Sequence, residues 1–436
     1  MKLKLKQAAA IVTFTMVLPA AADVIYSNFL NTAIPTDFTG VTINVGSGSL
    51  NPFFGGVGVA NNSALQPFRN GTGGLDPLLN FGFGDTIDGS DLYLSSGPGG
   101  SQTHVGTSFT AGTEGYVGFK LSGSNYGWMR VVFTNNTGGA VVKDWAYENS
   151  GAAISVGGIR RVGSDVVLSS GFTVGSVIND SGGTTNLLKN SSGSTTTLAA
   201  VNTYTGTTSV TAGTLAVSGT GSINTSSSVS VAAGSKFIYN SSTALTVGTT
   251  LNGTGTSAPN RAVLGGTGTI NTAVTLDHVG DVLSPGAGPG TGIQNFTPAQ
   301  TWSSFSYDWE VKNFTGTTAG TDFDQIGLAS TLNLSGGSGD YILNVLGLTA
   351  GDVAGLVPNF SEIDRSWTIL SSTGTLTGFN AANWTIDTAG FTDPYAGTWS
   401  ITQSGNSLVL NYAIPEHNVA ALIGGFGMLC LLRRRR

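Results

Sequence analysis

The feature that most constrains the fold is an internal repeat in the middle of the chain. The segment VSGTGSINTSSSVSV, which begins at Val217, matches LGGTGTINTAVTLDH, which begins at Leu264, at an offset of 47 residues. A shorter match joins TAGTLAV from Thr211 to AAGSKFI from Ala232 at an offset of 21 residues. Both offsets fit a structural unit of about 20–25 residues, and a unit this short must stack on its neighbours to bury its apolar face.

Apolar and polar residues alternate within these units, as they do along a half-buried β-strand. The residues predicted to face inward are Val210, Leu215, Val217, Val229 and Val231. Glycines provide the tight corners between strands. The pattern predicts a right-handed parallel β-helix over residues 161–350. A β-sandwich made from similar hairpins is the alternative.

The composition favours an all-β protein. The 436 residues include 65 glycines, and only 10% of the side chains are charged. A hydrophobic fraction of 40% excludes a disordered chain, and the absence of a three-residue glycine period excludes collagen. The single cysteine, Cys430, allows no disulfide within the chain. Burial and strand pairing must therefore provide the stability.

The charge distribution argues against a nucleic-acid partner. Residues 24–412 carry 11 basic and 22 acidic side chains, a net charge of about −11, whereas the net charge of the whole chain is −6. The difference arises because three lysines lie near the N-terminus and four arginines end the chain. An acidic surface of this kind repels phosphate groups.

The first 22 residues have the pattern of a secretory signal peptide. Three lysines in the first six residues precede the apolar stretch AAAIVTFTMVLP, which is too short to span a membrane comfortably. Ala20 and Ala22 then form an A-x-A cleavage site. The sequence therefore predicts export and cleavage by signal peptidase before Asp23.

The C-terminus combines a short apolar run with a cluster of arginines. Residues 419–432 form this run, which is predicted to be a short hydrophobic helix and is shorter than the ~20 residues needed to cross a bilayer. Residues 433–436 are all arginine and would stay on the cytoplasmic side of a membrane. A weak permanent anchor and a buried terminal strand are the alternatives to a processing signal.

Pro415 and Glu416 precede the apolar run, and this order resembles the PEP-CTERM sorting signal of exported bacterial proteins. His417 stands where the family motif has its second proline. The resemblance implies that a membrane-embedded exosortase recognises residues 414–436 and removes them, so that contact with the inner membrane is transient. The remaining residues that match the signal are Arg433, Arg434, Arg435 and Arg436.

The repeat region also resembles a known family. Residues 193–223 are similar to the autotransporter-associated β-strand repeat, and the likeness is carried by NTYTG at 202–206 and AGTL at 212–215. LSPGAGPGT, from Leu283, is similar to the Pro-Gly corner that often follows such repeats. The resemblance implies a β-helical stalk. The chain ends in arginines instead of the amphipathic strands that end an autotransporter.

The flanking regions also contain strand patterns. Residues 23–160 have no detectable repeat and predict a two-sheet β-sandwich. Within it, Tyr126 and Trp128 would lie on one face of a strand, and Met129 and Val131 on the other. Residues 351–413 are predicted to form a β cap at the end of the solenoid, because an uncapped solenoid exposes its backbone edges.

The sequence contains no arrangement typical of an enzyme. Its three histidines, His104, His278 and His417, lie near no G-x-S-x-G elbow, and no H-E-x-x-H, C-x-x-C or P-loop motif is present. We therefore predict no catalytic residue, no metal ligand and no cofactor. The sequence contains two groups of closely spaced aspartates, and turn formation is the favoured interpretation of both. They are Asp85, Asp88 and Asp91, which leave calcium binding open, and Asp322 with Asp324.

These observations predict an exported structural or adhesive protein of the cell surface or extracellular matrix. Exopolysaccharide and other surface proteins are the expected partners. One alternative is a carbohydrate-binding protein, which requires an exposed ring at Trp128 or Trp145. Another is a β-helix glycan-degrading enzyme, which requires a groove lined by paired carboxylates.

Overall fold

A computed structural model describes residues 23–28, 30–71, 76–90, 107–286 and 288–415 of the chain. The predicted signal peptide and the predicted C-terminal apolar helix lie outside these residues. Within them, every regular element is a β-strand or a short 3-10 turn, and none is an α-helix. The prediction of an all-β protein is confirmed.

The first part of the chain contains fourteen strands among the described residues. They are β1 (Asp23–Tyr26), β2 (Thr32–Ala33), β3 (Ile43–Val45), β4 (Gly48–Phe53), β5 (Gly58–Asn61), β6 (Leu65–Pro67), β7 (Asn80–Phe81), β8 (Thr86–Ile87), β9 (Glu114–Leu121), β10 (Asn125–Val132), β11 (Val141–Glu148), β12 (Ile154–Ser155), β13 (Ile159–Val162) and β14 (Asp165–Leu168).

The second part continues with strands that pair mostly in parallel. They are β15 (Thr173–Val174), β16 (Asn186–Leu198), β17 (Thr208–Gly219), β18 (Val229–Ala232), β19 (Ser235–Ser241), β20 (Thr249–Asn252), β21 (Ala262–Gly266), β22 (Thr269–Ile270), β23 (Val274–Thr275), β24 (Asp277–Pro285), β25 (Ile293–Phe296), β26 (Gln300–Trp302), β27 (Ser304–Val311), β28 (Gln325–Leu328), β29 (Leu332–Leu334), β30 (Tyr341–Gly347), β31 (Arg365–Ser372), β32 (Leu376–Thr377), β33 (Trp384–Asp387), β34 (Thr398–Ser404) and β35 (Ser407–Ala413). Short 3-10 turns occupy Phe54–Gly56, Ala258–Asn260 and Ala381–Asn383.

The antiparallel part is built around β9, β10 and β11, which pair in sequence order. Strand β10 divides its side chains between two faces, as the alternation of residues predicted, and the structure shows that both faces are buried. Trp128 belongs to the main hydrophobic core, and Met129 belongs to a second core that also contains residues of β3, β4 and β5. Strand β1 connects this part to the next, because it pairs antiparallel with β11 and parallel with β15.

The parallel part repeats at the spacing that the sequence indicates. Strands β16, β17, β18 and β20 pair in order, and their aligned residues Leu187, Thr208, Val229 and Thr249 are 21, 21 and 20 positions apart. In this ladder the five predicted inward-facing side chains are all at most 1% exposed, which confirms that prediction. The large parallel sheets are compatible with a β-helix.

Later units are longer but keep the parallel pairing. Tyr307 of β27 aligns with Leu343 of β30, which aligns with Ile386 of β33, at spacings of 36 and 43 residues. Parallel pairing therefore extends past residue 350, into the predicted cap. The last two strands, β34 and β35, form an antiparallel hairpin that pairs with β31.

Polar side chains join successive units at their corners. Asn202, in the NTYTG segment, is 2% exposed and bonds both the preceding and the following unit. Its Oδ1 accepts the Ile178 N–H at 2.9 Å, and its Nδ2 donates to the Ser222 carbonyl at 3.1 Å. Asn224 occupies the equivalent place 22 residues later, where its Nδ2 donates to the Ala244 carbonyl at 2.9 Å. These bonds satisfy backbone groups that the corners leave outside the ladders.

One glycine is required by the bend within β17. Gly213 has a φ of +74°, and a Cβ at this position would collide with the carbonyl oxygen of Ser191 on the preceding unit. The bend lets one strand run along two directions of the sheet, so that its two ends pair with β18 and β19. Any residue with a side chain at this position would have an unfavourable positive φ and would also clash with the neighbouring backbone.

Candidate functional site

The residues of the predicted processing sites lie at the limits of the described chain. Asp23 begins β1, and its backbone N–H donates to the side-chain oxygen of Asn149 at 3.0 Å. Burial, followed by the nearby charge of Glu148, raises the pKa of the Asp23 carboxyl. Pro415 is the last described residue. Cleavage after Ala22 and sorting by the tail stay predictions, because Ala20, Ala22, Glu416 and Arg433–Arg436 lie outside the described residues.

The aromatic residues proposed as sugar platforms differ in exposure. Trp128 is fully buried and contacts Tyr116 edge-to-face, with ring centroids 5.7 Å apart. Its burial excludes it as an exposed binding surface. Trp145 stacks on Tyr147 at 5.9 Å and 25°, and both rings are only partly buried against the second core. Of the two tryptophans, Trp145 therefore keeps some accessible ring surface and Trp128 keeps none.

The acidic segment around Asp85 forms turns in its described part. Asp85 accepts the Gly82 N–H at 2.7 Å, and Asp88 accepts the Ser90 N–H at 2.8 Å. These short-range bonds are the typical bonds of turn-forming aspartates. Within the described ranges, no group of three His, Cys, Asp or Glu side chains is arranged to hold a metal ion. The predicted third member, Asp91, lies outside those ranges.

His278 also has a local role. Its Nδ1 accepts the Gly280 N–H at 2.9 Å, and the neighbouring Asp281 carboxylate accepts the backbone N–H groups of Asp277 and His278, each at 3.1 Å. The imidazole therefore supports the irregular start of β24, where the pairing register with β27 shifts between Asp277 and Val282. The other two histidines, His104 and His417, lie outside the described residues.

Asp322 and Asp324 do not share a site. Asp322 accepts the Thr318 N–H at 2.9 Å, whereas Asp324 is fully buried beneath the glycine-rich corner between β24 and β25, which contains Gly290 and Gly292. There, its Oδ1 accepts the Gly292 N–H at 2.7 Å, and its Oδ2 accepts the Glu310 N–H at 3.1 Å.

Glu310 supports the same corner by accepting the Gly290 N–H at 2.8 Å. Burial raises the pKa of the Glu310 carboxyl. The pKa of Asp324 is raised well above its usual value, first by burial and then by repulsion from the charge of Glu310. These two carboxyls are neighbours with perturbed pKa values, which often marks a functional site. Here both are covered by the backbone that they bind, so their arrangement supports the corner.

A network of charged residues crosses the antiparallel part. The Arg130 guanidinium donates to both oxygens of the fully buried Asp144, at 2.8 and 2.7 Å. Burial raises the pKa of Asp144, against the opposing effect of Arg130. At the edge of the network, the Glu114 carboxylate forms ion pairs with Lys143, at 2.9 Å, and with Arg130, at 3.4 Å.

Next to Glu114 is a cavity of about 370 Å³ that no sequence pattern predicts. Its walls include Phe83, Tyr116, Glu114 and Arg160, which come from three separate parts of the chain. Phe83 is 55% exposed, and the Arg160 guanidinium lies 4.1 Å from the centre of its ring. Phe83 and Arg160 are far apart in the sequence, so their contact corresponds to no recognisable sequence motif.

The ionisation of the cavity walls follows from their neighbours. Burial raises the pKa of Glu114, but the hydrogen bond from Lys143 and the charge of Arg130 outweigh it, so the pKa lies below its usual value. Burial raises the pKa of Tyr116 to about 12. At neutral pH the cavity therefore presents an ionised acceptor, a protonated hydroxyl and a guanidinium.

Comparison with known proteins gives no further assignment. No protein-family model matches the chain, and no curated protein is significantly similar to it. The resemblances of the repeat and of the C-terminal segment therefore depend on the residues themselves. Among the described residues, no helix has the length and apolar character needed to cross a membrane.

Proposed function

We propose that the protein is an exported structural or adhesive component of the cell surface or extracellular matrix, and that it is not an enzyme. In this proposal residues 23–160 form a β-sandwich, the parallel strands form a right-handed β-helical stalk, and the β34–β35 hairpin covers its end. Residues 414–436 act as a removable sorting tail.

The observation that carries the proposal is the continuous parallel pairing from β14 to β33. Each unit hydrogen-bonds to the next through its strands, and the corner asparagines Asn202 and Asn224 add side-chain bonds between units. A stack of this kind forms an extended and rigid rod whose outer faces are rich in threonine and serine. Such a rod is suited to a load-bearing or spacing role.

The carboxylates that accept backbone N–H groups support a non-catalytic role. Glu310 and Asp324 accept backbone N–H groups of a glycine-rich corner, and Asp85 and Asp88 accept those of turns. The cavity beside Phe83 is lined by one carboxylate, Glu114. Hydrolysis of a glycosidic bond needs two carboxyls on either side of an open sugar cleft.

The order of the terminal segments supports the proposed route. A signal peptide cut before Asp23 would deliver the chain across the membrane, where residues 419–432 would hold it transiently. An exosortase-like protease would then recognise Pro415, Glu416 and the terminal arginines. Signal peptidase and this protease are the proposed processing partners, and exopolysaccharide or other surface proteins are the proposed later ones.

A carbohydrate-binding role is the second candidate. Trp128 is buried and does not support it. The cavity that combines Phe83 with Arg160 does support it, because an accessible ring beside polar groups is a common way to hold a sugar.

The test is the intact mass of the protein recovered from the surface, the medium and the inner membrane of the producing cell. We expect a surface or released form that begins at Asp23 and ends between residues 414 and 416. A protein that keeps Arg433–Arg436 and stays in the inner-membrane fraction would refute the proposed sorting. A cytoplasmic protein that keeps residues 1–22 would refute export altogether.

A further inference from the structure

We infer that the cavity between Phe83, Tyr116, Glu114 and Arg160 binds a carboxylated sugar unit of an acidic polysaccharide. The inference depends on the proposed role at the cell surface and specifies the class of matrix ligand. The cavity measures about 370 Å³, at the lower end of the range of roughly 300–1,000 Å³ that small-ligand sites occupy. A site of this size suits one unit of a chain that continues into solvent.

The first argument is the state of Arg160. Its Nη1 donates to the Gly157 carbonyl at 3.3 Å, and within the described residues it has no ion pair with a carboxylate. The neighbouring cations differ, because Arg130 and Lys143 are both paired with Glu114. In a protein with a net charge of −6, an arginine that faces a cavity without a carboxylate partner can accept one from a ligand.

The second argument is that Phe83 holds this guanidinium in place. The 4.1 Å separation places the cation over the ring, where it is attracted by the ring electrons. Because the ring is 55% exposed, part of its surface also remains available to the C–H groups of a sugar. Gly157 keeps the space open, since a Cβ there would lie 2.7 Å from Phe83 and 2.9 Å from the Tyr116 hydroxyl.

The third argument is that the other walls match sugar hydroxyls. The Glu114 carboxylate is ionised and accepts hydrogen bonds, while the Tyr116 hydroxyl is protonated and can donate. The two lie 3.4 Å apart, so their mutual bond is weak and a ligand hydroxyl can replace it. Lys143 and Arg130 offset the charge of Glu114, which reduces its repulsion of a ligand carboxylate.

These groups distinguish a carboxylated sugar from simpler ligands. A neutral sugar would leave the Arg160 guanidinium without an anionic partner, and a small inorganic anion would make no use of Phe83 or of the Glu114 acceptor. A carboxylated sugar satisfies all three, with its carboxylate on Arg160, its ring on Phe83 and a hydroxyl on Glu114. The site therefore binds and orients its ligand, and no bond of the ligand is broken.

The experiment measures binding of uronic-acid tetramers to the protein purified from the surface or medium of the producing cell. The probes are tetramers of galacturonate, mannuronate and glucuronate, each compared with its methyl ester, which keeps the hydroxyls but removes the charge. We expect isothermal titration calorimetry to show binding of at least one acid form and binding of its ester weaker by about tenfold or more. Affinity should also fall with added salt.

Variants locate the binding. Arg160→Gln and Phe83→Ala should each weaken binding, the first by about tenfold, whereas the matched controls Lys236→Gln and Phe38→Ala should leave it unchanged. Both control residues are exposed and lie away from the cavity. Because Phe83 is largely exposed, its variant keeps the test valid even if Arg160→Gln impairs folding.

Three results would overturn the inference. The first is that no acid tetramer binds, and the second is that an acid tetramer and its ester bind equally well. The third is that Arg160→Gln and Lys236→Gln weaken binding to the same extent. The last would show a diffuse charge effect. If the mass measurement places the protein at the cell surface while all tetramers fail to bind, only this inference fails and the structural role stands.

Discussion

Replacement of Asn202 by alanine tests whether the corner bonds hold successive units together. The side chain is 2% exposed and makes three hydrogen bonds. It accepts the Ile178 N–H at 2.9 Å and donates to the carbonyls of Ala200 and Ser222 at 3.0 and 3.1 Å. Ile178 and Ser222 lie 24 positions before and 20 positions after Asn202, so one side chain connects three consecutive units.

The cost of the substitution follows from what each partner loses. The Ile178 N–H would remain buried without a partner, which costs about 1–3 kcal/mol. Loss of the two donated bonds adds about 1 kcal/mol, a small amount because the Ser222 carbonyl keeps a 2.9 Å bond from the Asn202 backbone N–H. We therefore expect the free energy of unfolding to fall by about 2–4 kcal/mol.

The measurement is urea-induced unfolding followed by tryptophan fluorescence, with far-UV circular dichroism as a second probe. Asn190→Ala is the matched control, because Asn190 is exposed on β16 and its side chain makes no hydrogen bond within the described residues. We expect the control to stay within about 0.5 kcal/mol of the wild type. If Asn202→Ala also stays within that range, the corner bonds do not join the units and the reasoning is wrong.

Two further predictions concern buried charge. Burial raises the pKa of Glu310 in the folded protein, so its contribution to stability is complete below the unfolded pKa and is lost as pH rises through the folded pKa. Glu310→Gln should therefore raise the melting temperature relative to wild type at about pH 8 but not at about pH 4, and an equal difference at both values would contradict this. Arg130→Met should cost about 3–5 kcal/mol in denaturant unfolding, because it leaves the Asp144 carboxylate buried and unpaired. Adding Asp144→Leu removes the unpaired charge but leaves the Tyr26 hydroxyl and the Arg161 N–H without their acceptor, so it should restore only part of that loss. A double variant less stable than the single one would argue against the importance of the pair.

The parallel part could be predicted from the sequence because its rules are local. Alternation places Leu215 and Val217 on one side of a strand, and both are fully buried. Val210 lies an odd number of positions before Leu215, and it is also fully buried because β17 bends at Gly213 between them. The unit of about 20–25 residues reappears as spacings of 21, 21 and 20 between paired strands. The longer spacings of 36 and 43 were less visible, since loops of variable length hide the repeat while the strands still pair.

The antiparallel part could be predicted only in outline. Alternation correctly divided β10 into two faces, but it did not reveal that β3, β4 and β5 would cover one of them. The cavity was missed for the same reason. Phe83, in the turn after β7, and Arg160, in β13, meet only because the fold brings these two segments together, and nothing near either residue in the sequence indicates the other.

The pairing of β1 has a consequence for how the protein reaches its final form. This strand contains the first described residues, yet Asp23 pairs with Thr173, which is synthesised 150 residues later. At about 5–20 residues per second of synthesis, that partner is made roughly 8–30 s after Asp23. Until then Val24 and Tyr26, each 3% exposed in the finished fold, have no completed core to enter. The antiparallel part thus closes only after the parallel part has started, and a cut near residue 160 would leave one edge of β1 unpaired.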